Sequence, residues 1–279
     1  MHDEPILRID HLNKTFGEGC VHCQRAETRE LKKNHCPYCS TTYACQDVSL
    51  ELYSGEILGI VGESGSGKST MMQCLYFDMD VTSGEVYIKD TELEGENLFE
   101  LSSQKKRYVR NYKYGMVYQN PIHGLKMNFS SVGNIAEKLI AAGNRNVSEM
   151  EAISKRLLES VHIPLFRMKQ EPRNFSGGMQ QRVQIAKALS NNPPVLFLDE
   201  VTTGLDLSVQ ANVLDLIKKI QRELGISMIV VSHDLAVIRM LADRTVVMLN
   251  GSIIEEGLTD QILEDPQHAY TQQLVYSLL

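Results

Sequence analysis

The sequence has no tryptophan, an absence that excludes nothing, but its other absences are informative. No run among the 279 residues reaches the ~18 uncharged apolar positions of a membrane-spanning helix, and the most apolar stretch, Ile226 to Ser232, is strand-sized. The opening MHDEPILRID has no apolar signal core, so export is not expected and a cytoplasmic location is. A basic surplus is missing too: 28 Lys and Arg against 35 Asp and Glu give a net charge of −7. That argues against nucleic acid as a partner, since such binding rests on phosphate neutralisation, but not against one bound nucleotide. Repeats and low-complexity segments are absent. With 43% hydrophobic and 23% charged residues, the chain can bury a sizeable core, which excludes disordered, collagenous and coiled-coil classes. At roughly 150 residues per domain it holds one large domain or two small ones. Cysteine is scarce outside one stretch: five of six lie between Cys20 and Cys45, the sixth being Cys74. In a chain that is not exported disulfides are rare, so this cluster needs another reading.

The periodicity points to two kinds of sheet. ILRIDHL and DVSLELYSG alternate apolar and polar residues, as antiparallel strands with one wet face do. The roughly thirty residues between them exceed any hairpin connection and read as an inserted module. EILGIVG, VLFLDE, MIVVSHD and TVVMLNG are short, nearly continuous apolar runs, as expected of strands buried on both faces. Helical segments intervene; in VLDLIKKIQREL, Val213, Leu216, Ile217, Ile220 and Leu224 share one face. Alternation of this kind predicts an α/β fold with a parallel sheet. From about Asn120 to Arg173 no buried strand is visible. NIAEKLIAAG and EMEAISKRLLESV, broken by Gly124, Gly143, Pro164 and Pro172, predict an inserted helical subdomain.

Three segments carry chemistry. Gly62-Glu63-Ser64-Gly65-Ser66-Gly67-Lys68-Ser69-Thr70 fits GxxxxGK[ST], follows a buried strand and opens an apolar helix expected from Thr70 to about Asp78, the context a phosphate loop requires. Backbone N–H groups at such a helix start cradle phosphate; Lys68 can reach the β- and γ-phosphates, and the Ser69 hydroxyl can ligate Mg²⁺. VLFLDE brings Asp199 to the end of a buried strand, where it can hold Mg²⁺, and Glu200 next to it, where a carboxylate can polarise the attacking water. In NFSGGMQQRVQIAKAL, Ser176, Gly177 and Gly178 precede an amphipathic helix, a second phosphate-binding helix start. One nucleotide has no use for two such sites in one chain; a dimer has, if each loop faces the partner's nucleotide.

In chain order, the phosphate loop, Gln119 in MVYQNP, SGG before a helix, LDE, Gly204-Leu205-Asp206 and His233 in SHD make the chain resemble the ABC-type ATPases over nearly its whole length. The resemblance implies an α/β P-loop NTPase of ABC type: a RecA-like core, an antiparallel β subdomain, a helical subdomain at 120–175 and a C-terminal helical tail at 258–279, with the cysteine-rich insert at 17–45. It implies ATP and Mg²⁺ as ligands, the latter on Ser69, Gln119 and Asp199. It further implies Glu200, His233 and Gln119 as catalytic residues, His233 contacting the γ-phosphate; Ser176 to Gly178 acting in trans; Asp206 as the D-loop acid; and a homodimer or a heterodimer with another ABC ATPase. Phe16 in KTFG resembles the aromatic residue that stacks on adenine, a core Phe at a strand end being the alternative. Two positions depart from the pattern: Met179 stands where Gln is commonest, and Val201 where Pro usually follows the catalytic Glu, which bears on the rigidity of that turn.

Cys20-x₂-Cys23-x₁₂-Cys36-x₂-Cys39 has the spacing of two facing zinc knuckles. Structural Zn²⁺ on these four is the first expectation; an iron–sulfur centre and no metal are the alternatives. His22, His35 and Cys45 are spare groups expected near the site or at the surface, and Cys74 a small core residue.

Among ABC ATPases, oligopeptide and nickel importer subunits share FSGGMQQR and a terminal HxYT, here His268-Ala269-Tyr270-Thr271, but are expected to continue into a longer tail. Asn120-Pro121-Ile122-His123-Gly124-Leu125-Lys126 also differs from the importer pattern. With VHIP, GLDLSVQA and GLTDQILEDPQHAYTQQLV it resembles most the soluble K-subunit ATPases of bacterial carbon–phosphorus lyase systems. That implies a motor on a soluble phosphonate-degrading complex, with membrane permease subunits as the alternative partners. A DNA-repair or ribosomal ABC protein is disfavoured by the acidic charge and the lack of a second cassette or long coiled coil.

Overall fold

The computed structural model describes residues 4–24 and 31–276. In chain order it begins with β1 (Leu7–Phe16), the single turn α1 (Val21–Gln24), β2 (Thr42–Leu52), β3 (Ile57–Val61), α2 (Lys68–Leu75) and β4 (Ser83–Ile88). Next come α3 (Ser103–Tyr108), β5 (Tyr114–Val117), α4 (Pro121–Gly124), α5 (Ser131–Ala141), α6 (Val147–Ser160) and α7 (Gly177–Ala188). The chain ends with β6 (Val195–Asp199), α8 (Leu207–Leu224), β7 (Ser227–Val231), α9 (Leu235–Leu241), β8 (Arg244–Leu249), β9 (Ser252–Leu258), α10 (Thr259–Glu264) and α11 (Ala269–Tyr276). These form two compact units, one of Met1–Tyr53, Leu58–Leu101 and Val231–Leu279, the other of Ser54–Ile57 and Ser102–Val230.

In the first unit β1 is the centre of an antiparallel sheet of order β2-β1-β4. Leu7 and Ile9 are buried while Arg8 is exposed, the one-faced pattern the alternation predicted. β3 pairs in parallel with β8, and β8 antiparallel with β9. Every residue of β3 is buried, which is why its sequence is apolar without alternation. The expected helix after the phosphate loop starts earlier and is shorter, Lys68–Leu75, because Gly67 takes the left-handed conformation and opens it.

In the second unit β5 and β6 pair in parallel and β7 neighbours β6. Helices dominate the stretch between β5 and β6, several with side-chain caps: Ser130 Oγ accepts from Gly133 N (3.0 Å) and Asn146 Oδ1 from Glu149 N (3.2 Å). α8 is capped by Asp206 and stopped by Gly225 at φ 63°, the usual glycine C-terminus. Val213, Leu216, Ile217 and Ile220 are buried on one face of α8, whereas Leu224, expected with them, is exposed at the last turn where the face runs out. Among the described residues no helix is long and apolar enough to cross a membrane.

Candidate nucleotide site and metal centre

The phosphate loop is shaped by backbone packing. β3 ends at Val61, and Gly62 follows with φ 152°; a Cβ there would lie 2.2 Å from the Met248 carbonyl oxygen of β8. Gly67 has φ 104°, and its Cβ would lie 2.0 Å from the Ala44 oxygen of β2. Both positions are closed to side chains, so the loop threads between two strands. Ser64 and Gly65 face outward at its tip, and Ser66 is buried. Lys68 is only 4% exposed. Its ammonium donates to the Gly62 and Glu63 carbonyls at 2.7 and 2.9 Å and to Ser66 Oγ at 3.2 Å, so the loop holds the cation at its own centre. Ser69 and Thr70 begin α2. From the C-terminal helix, the Tyr270 hydroxyl accepts from Glu63 N at 2.8 Å.

In the same unit Phe16 ends β1 opposite Thr42 and is 42% exposed, so the core alternative fails. Lys14 Nζ stands 5.0 Å from its ring centre. His233 is exposed after β7, beside Ser232, whose hydroxyl accepts from Asp234 N at 3.0 Å.

The second unit brings Gln119 and Glu200 together: Gln119 Nε2 donates to Glu200 Oε2 at 2.8 Å. Asp199 ends β6 with 5% exposure. Glu200 has φ 45°, a left-handed conformation that costs a non-glycine residue of order 1–3 kcal/mol unless its surroundings enforce it. Here they do. Val201 is buried, Thr203 N donates to the Glu200 carbonyl at 3.1 Å, and Thr203 Oγ1 donates to Glu200 Oε2 at 3.3 Å. The turn is therefore fixed with Val in the place of Pro.

Ser176 is exposed and sits at the start of α7, without using its hydroxyl as a cap; Gly177 is exposed. Gly178 is buried because α8 passes close: a Cβ there would meet Val209 Cγ1 at 2.3 Å. Asp206 Oδ1 accepts from Val209 N at 3.1 Å and from Ser208 Oγ at 2.8 Å, bonds that hold its pKa below the usual carboxylate range.

Sequence reasoning missed the groups that hold Gln119. Gln184 Oε1 accepts from Tyr118 N at 2.9 Å, and Gln184 Nε2 donates to the Tyr118 carbonyl at 3.0 Å. Gln181 Nε2 donates to the Gln119 carbonyl at 3.0 Å. Both glutamines are almost fully buried. Their spacing of three on a helix places them on one face, a signal that could have found them. Thr203 left no comparable trace, and Tyr270 only its place in the HxYT motif.

The four cysteines Cys20, Cys23, Cys36 and Cys39 converge, with their sulfurs all within 4.8 Å of one another. Separations are 3.8 Å for Cys20–Cys23 and Cys20–Cys36, and 3.6 Å for Cys23–Cys39. A tetrahedral metal with bonds of about 2.3 Å sets its sulfurs about 3.8 Å apart. Thr41, through its hydroxyl and its backbone, lowers the Cys39 thiol to about 6, and Tyr43 lowers Cys23, whereas burial pushes Cys20 up to about 12. His22 stacks on Tyr38 at 4.2 Å and His35 Nδ1 lies 3.1 Å from Thr42 Oγ1, so neither joins the sulfurs. Cys45 corrects the expectation of a nearby or surface group: it is buried below the phosphate loop, its sulfur 3.9 Å from the Gly67 oxygen, and burial pushes its thiol up to about 12. Cys74 is fully buried.

The family model described as "ABC transporter" matches residues 45–203. PhnK of Escherichia coli K12, an ATP-binding protein named for phosphonates utilization, is 45% identical over 233 residues, 84% of this chain and 90% of that protein. The oligopeptide transport ATP-binding protein OppD of Bacillus subtilis 168 is 40% identical over 259 residues, 90% of this chain and 71% of its own. The dimeric bacterial ABC transporter cassette MJ0796 superposes with a TM-score of 0.75 at 29% identity, covering 91% of this chain and 98% of that one, and a dimeric post-hydrolysis state of it bound to ADP and Pi scores 0.74. The phosphate loop, the buried strand ending in Asp199 and Glu200, and these likenesses place the chain in the ABC family of ATPases.

Proposed function

We propose that this chain is the ATP-hydrolysing subunit that drives conformational change in a soluble carbon–phosphorus lyase complex during phosphonate breakdown. The observation that carries the reading is its 45% identity to PhnK across 84% of the chain. The segment after Gln119 supports it: α4 presents Ile122, 61% exposed, and Phe129 stands 51% exposed a few residues on, exposed apolar side chains of the kind a partner covers. A second reading, the ATPase of an oligopeptide-type importer with membrane permease partners, is favoured by the 40% identity to OppD over 90% of the chain. We place the chain in the cytoplasm in either case, with no nucleic-acid partner.

In this reading Lys68 and the N–H groups from Gly62 to Thr70 bind the β- and γ-phosphates, with Phe16 against adenine. Ser69, Asp199 and Gln119 would hold Mg²⁺, which would supply charge neutralisation at the transferring phosphate. Glu200 accepts a proton from the attacking water, and Gln119, already bonded to it, orients that water. His233 contacts the γ-phosphate. Ser176, Gly177 and Gly178 act on the nucleotide of the partner subunit, with Asp206 beside that junction, so the working unit is a homodimer or a heterodimer with another ABC ATPase. Cys20, Cys23, Cys36 and Cys39 would hold a structural Zn²⁺, a reading their mutual spacing supports.

The test is fractionation and pull-down from cells grown on a phosphonate as sole phosphorus source. Recovery with carbon–phosphorus lyase subunits in the soluble fraction is the expected outcome. Recovery with integral membrane proteins alone replaces it with the importer reading.

A further inference from the structure

The inner face of the cysteine insert lies against the phosphate loop. Lys32 and His35 bond to each other in both directions, N to O at 2.8 and 3.2 Å, which makes Lys33 and Asn34 the tip of a tight turn. Lys33 takes φ 60° to close it. From this tip Lys33 Nζ reaches Glu63 Oε1 at 3.1 Å, and Asn34 Nδ2 donates to the Gly65 carbonyl at 3.4 Å. Both acceptors belong to the loop that precedes Lys68. The same turn is anchored on its other side to the cysteines. Tyr43 N donates to the Asn34 carbonyl at 2.8 Å, His35 bridges to Thr42, and Cys36 N donates to the Thr41 carbonyl at 2.8 Å. The tip that touches the loop and the knuckle that carries Cys36 are thus parts of one short ladder, three residues apart.

We propose that the insert is a clasp on the phosphate loop: Lys33 and Asn34 position Glu63 and Gly65 for nucleotide binding, and metal on the four cysteines holds the clasp in place. The metal half rests on the Zn²⁺ reading above; the contact half does not. Among the described residues of the insert, the buried apolar side chains are Cys23, Cys36, Ala44 and Cys45. A segment with so little core takes its folding free energy from its metal. With the sulfurs unjoined, the turn is no longer held at one end, and the loop loses two of the groups that fix its outer half. By linkage the coupling runs both ways: whatever factor metal adds to ATP affinity, ATP adds to metal retention. Glu63 is gripped from the other side by Tyr270, so the clasp tunes the loop and does not build it.

The experiment uses the full chain. Metal per chain is measured after purification without added metal. Equilibrium affinity for a fluorescent ATP analogue with Mg²⁺ is then measured for the metal-bound protein, the chelator-stripped protein, the stripped protein given Zn²⁺ again, and the Lys33→Ala/Asn34→Ala double variant. Stripping should weaken ATP binding by roughly fivefold or more, the low end of typical coupling, and Zn²⁺ should restore it. The double variant should retain its metal and weaken ATP binding to a similar degree, raising KM while kcat changes little; Lys33→Arg should rescue. In an equilibrium competition with a chromophoric chelator, saturating ATP should raise Zn²⁺ affinity by the same factor. ATP affinity unchanged in the double variant, with circular dichroism intact, overturns the clasp whatever the metal content. A stripped protein that binds ATP as tightly as the loaded one overturns the linkage. A chain purified without metal overturns the Zn²⁺ reading and the linkage together, and leaves the double variant to decide the clasp.

Discussion

The phosphate loop and the corner formed by Gln119 and Glu200 both fix polar groups at the end of a buried strand, but with different materials. The loop is fixed by main chain: Gly62 under Met248 O, Gly67 under Ala44 O, and Lys68 inside its own carbonyls. The corner is fixed by side chains: Gln181 and Gln184 hold the backbone at Tyr118 and Gln119, Gln119 holds the Glu200 carboxylate, and Thr203 supports it. A site made of backbone tolerates no side chain where strands approach, so damage to it is abrupt. One made of amides and hydroxyls can lose a single bond and keep its shape, so damage to it is graded. In the proposed reading the difference suits what each would do, since a phosphate cradle gains from rigidity while a water-orienting group has to respond to what is bound.

The largest effect should come from removing the group at the end of the amide chain. Glu200→Gln should bind ATP and hydrolyse it about 10²–10⁴-fold more slowly, the usual contribution of a general base, equivalent to ~3–5 kcal/mol, and should accumulate as a nucleotide-bound dimer. Single-turnover hydrolysis with size-exclusion chromatography checks both parts. Near-normal turnover removes Glu200 from the role of base.

The next test asks whether the phosphate loop and the segment Ser176 to Gly178 meet on one nucleotide only across a dimer. Lys68→Ala and Ser176→Arg should each abolish turnover alone. Mixed, they should recover a measurable fraction, because in a heterodimer both lesions can fall in the same composite site and leave the other intact. A dead mixture in which heterodimers are demonstrated by mass spectrometry excludes the trans assignment of Ser176.

The unequal construction also explains what could be read in advance. The loop was legible because backbone packing is recorded in the chain as glycine at fixed spacing: Gly62 and Gly67 admit no other residue, and Lys68 follows at a set distance. β3 and β6 were legible because burial on both faces leaves apolar runs. Gln119 and Glu200 were named from the motif order, but their supports Gln181 and Gln184 were not, because a glutamine on an amphipathic helix looks like a solvated residue until the partner strand is placed beside it. The shorter α2 and the exposed Leu224 were misjudged for a related reason: a cap or a helix end is decided by one backbone conformation or one missing neighbour, to which periodicity is blind. The cysteine spacing gave the ligand set but not its neighbour. Nothing in CxxC says that the turn before Cys36 reaches Glu63 and Gly65.

In the proposed reading the insert adds a third material, metal, to the comparison. Cys36→Ser should lower bound Zn²⁺ from about one per chain towards zero, since three thiolates leave the tetrahedron incomplete. The main unfolding transition should move little, because β1 and β2 also pair outside the insert, from Leu7 with Leu52 to Leu12 with Val48. Elemental analysis and calorimetry on the same sample check this. Unchanged metal content refutes the ligand set, and loss of the whole cooperative transition refutes the separateness of the insert.

The smallest effect separates graded damage from abrupt. Gln184→Met keeps the volume and removes the amide: Tyr118 N–H and C=O lose bonds of 2.9 and 3.0 Å, the carbonyl keeping Gln181 Nε2 at 3.5 Å, and Gln181 Oε1 loses its donor at 2.8 Å. An unpaired buried polar group costs about 1–3 kcal/mol. Tyr118 is half-buried and can recover part of that from water, so a net loss near the lower end follows. For a chain of this size that is a fall in Tm of about 2–4 °C per kcal/mol. The functional effect should follow from the chain of contacts. Tyr118 precedes Gln119, so a loosened Tyr118 lets Gln119 move relative to Glu200, and kcat should fall several-fold, far less than in Glu200→Gln. Affinity for ATP should stay put, because the phosphate loop takes none of its support from Gln184. A drop in Tm with kcat unchanged would confine Gln184 to stability. A drop in ATP affinity instead would mean that the two regions are not built independently, and the contrast between backbone and side-chain support would fail with it.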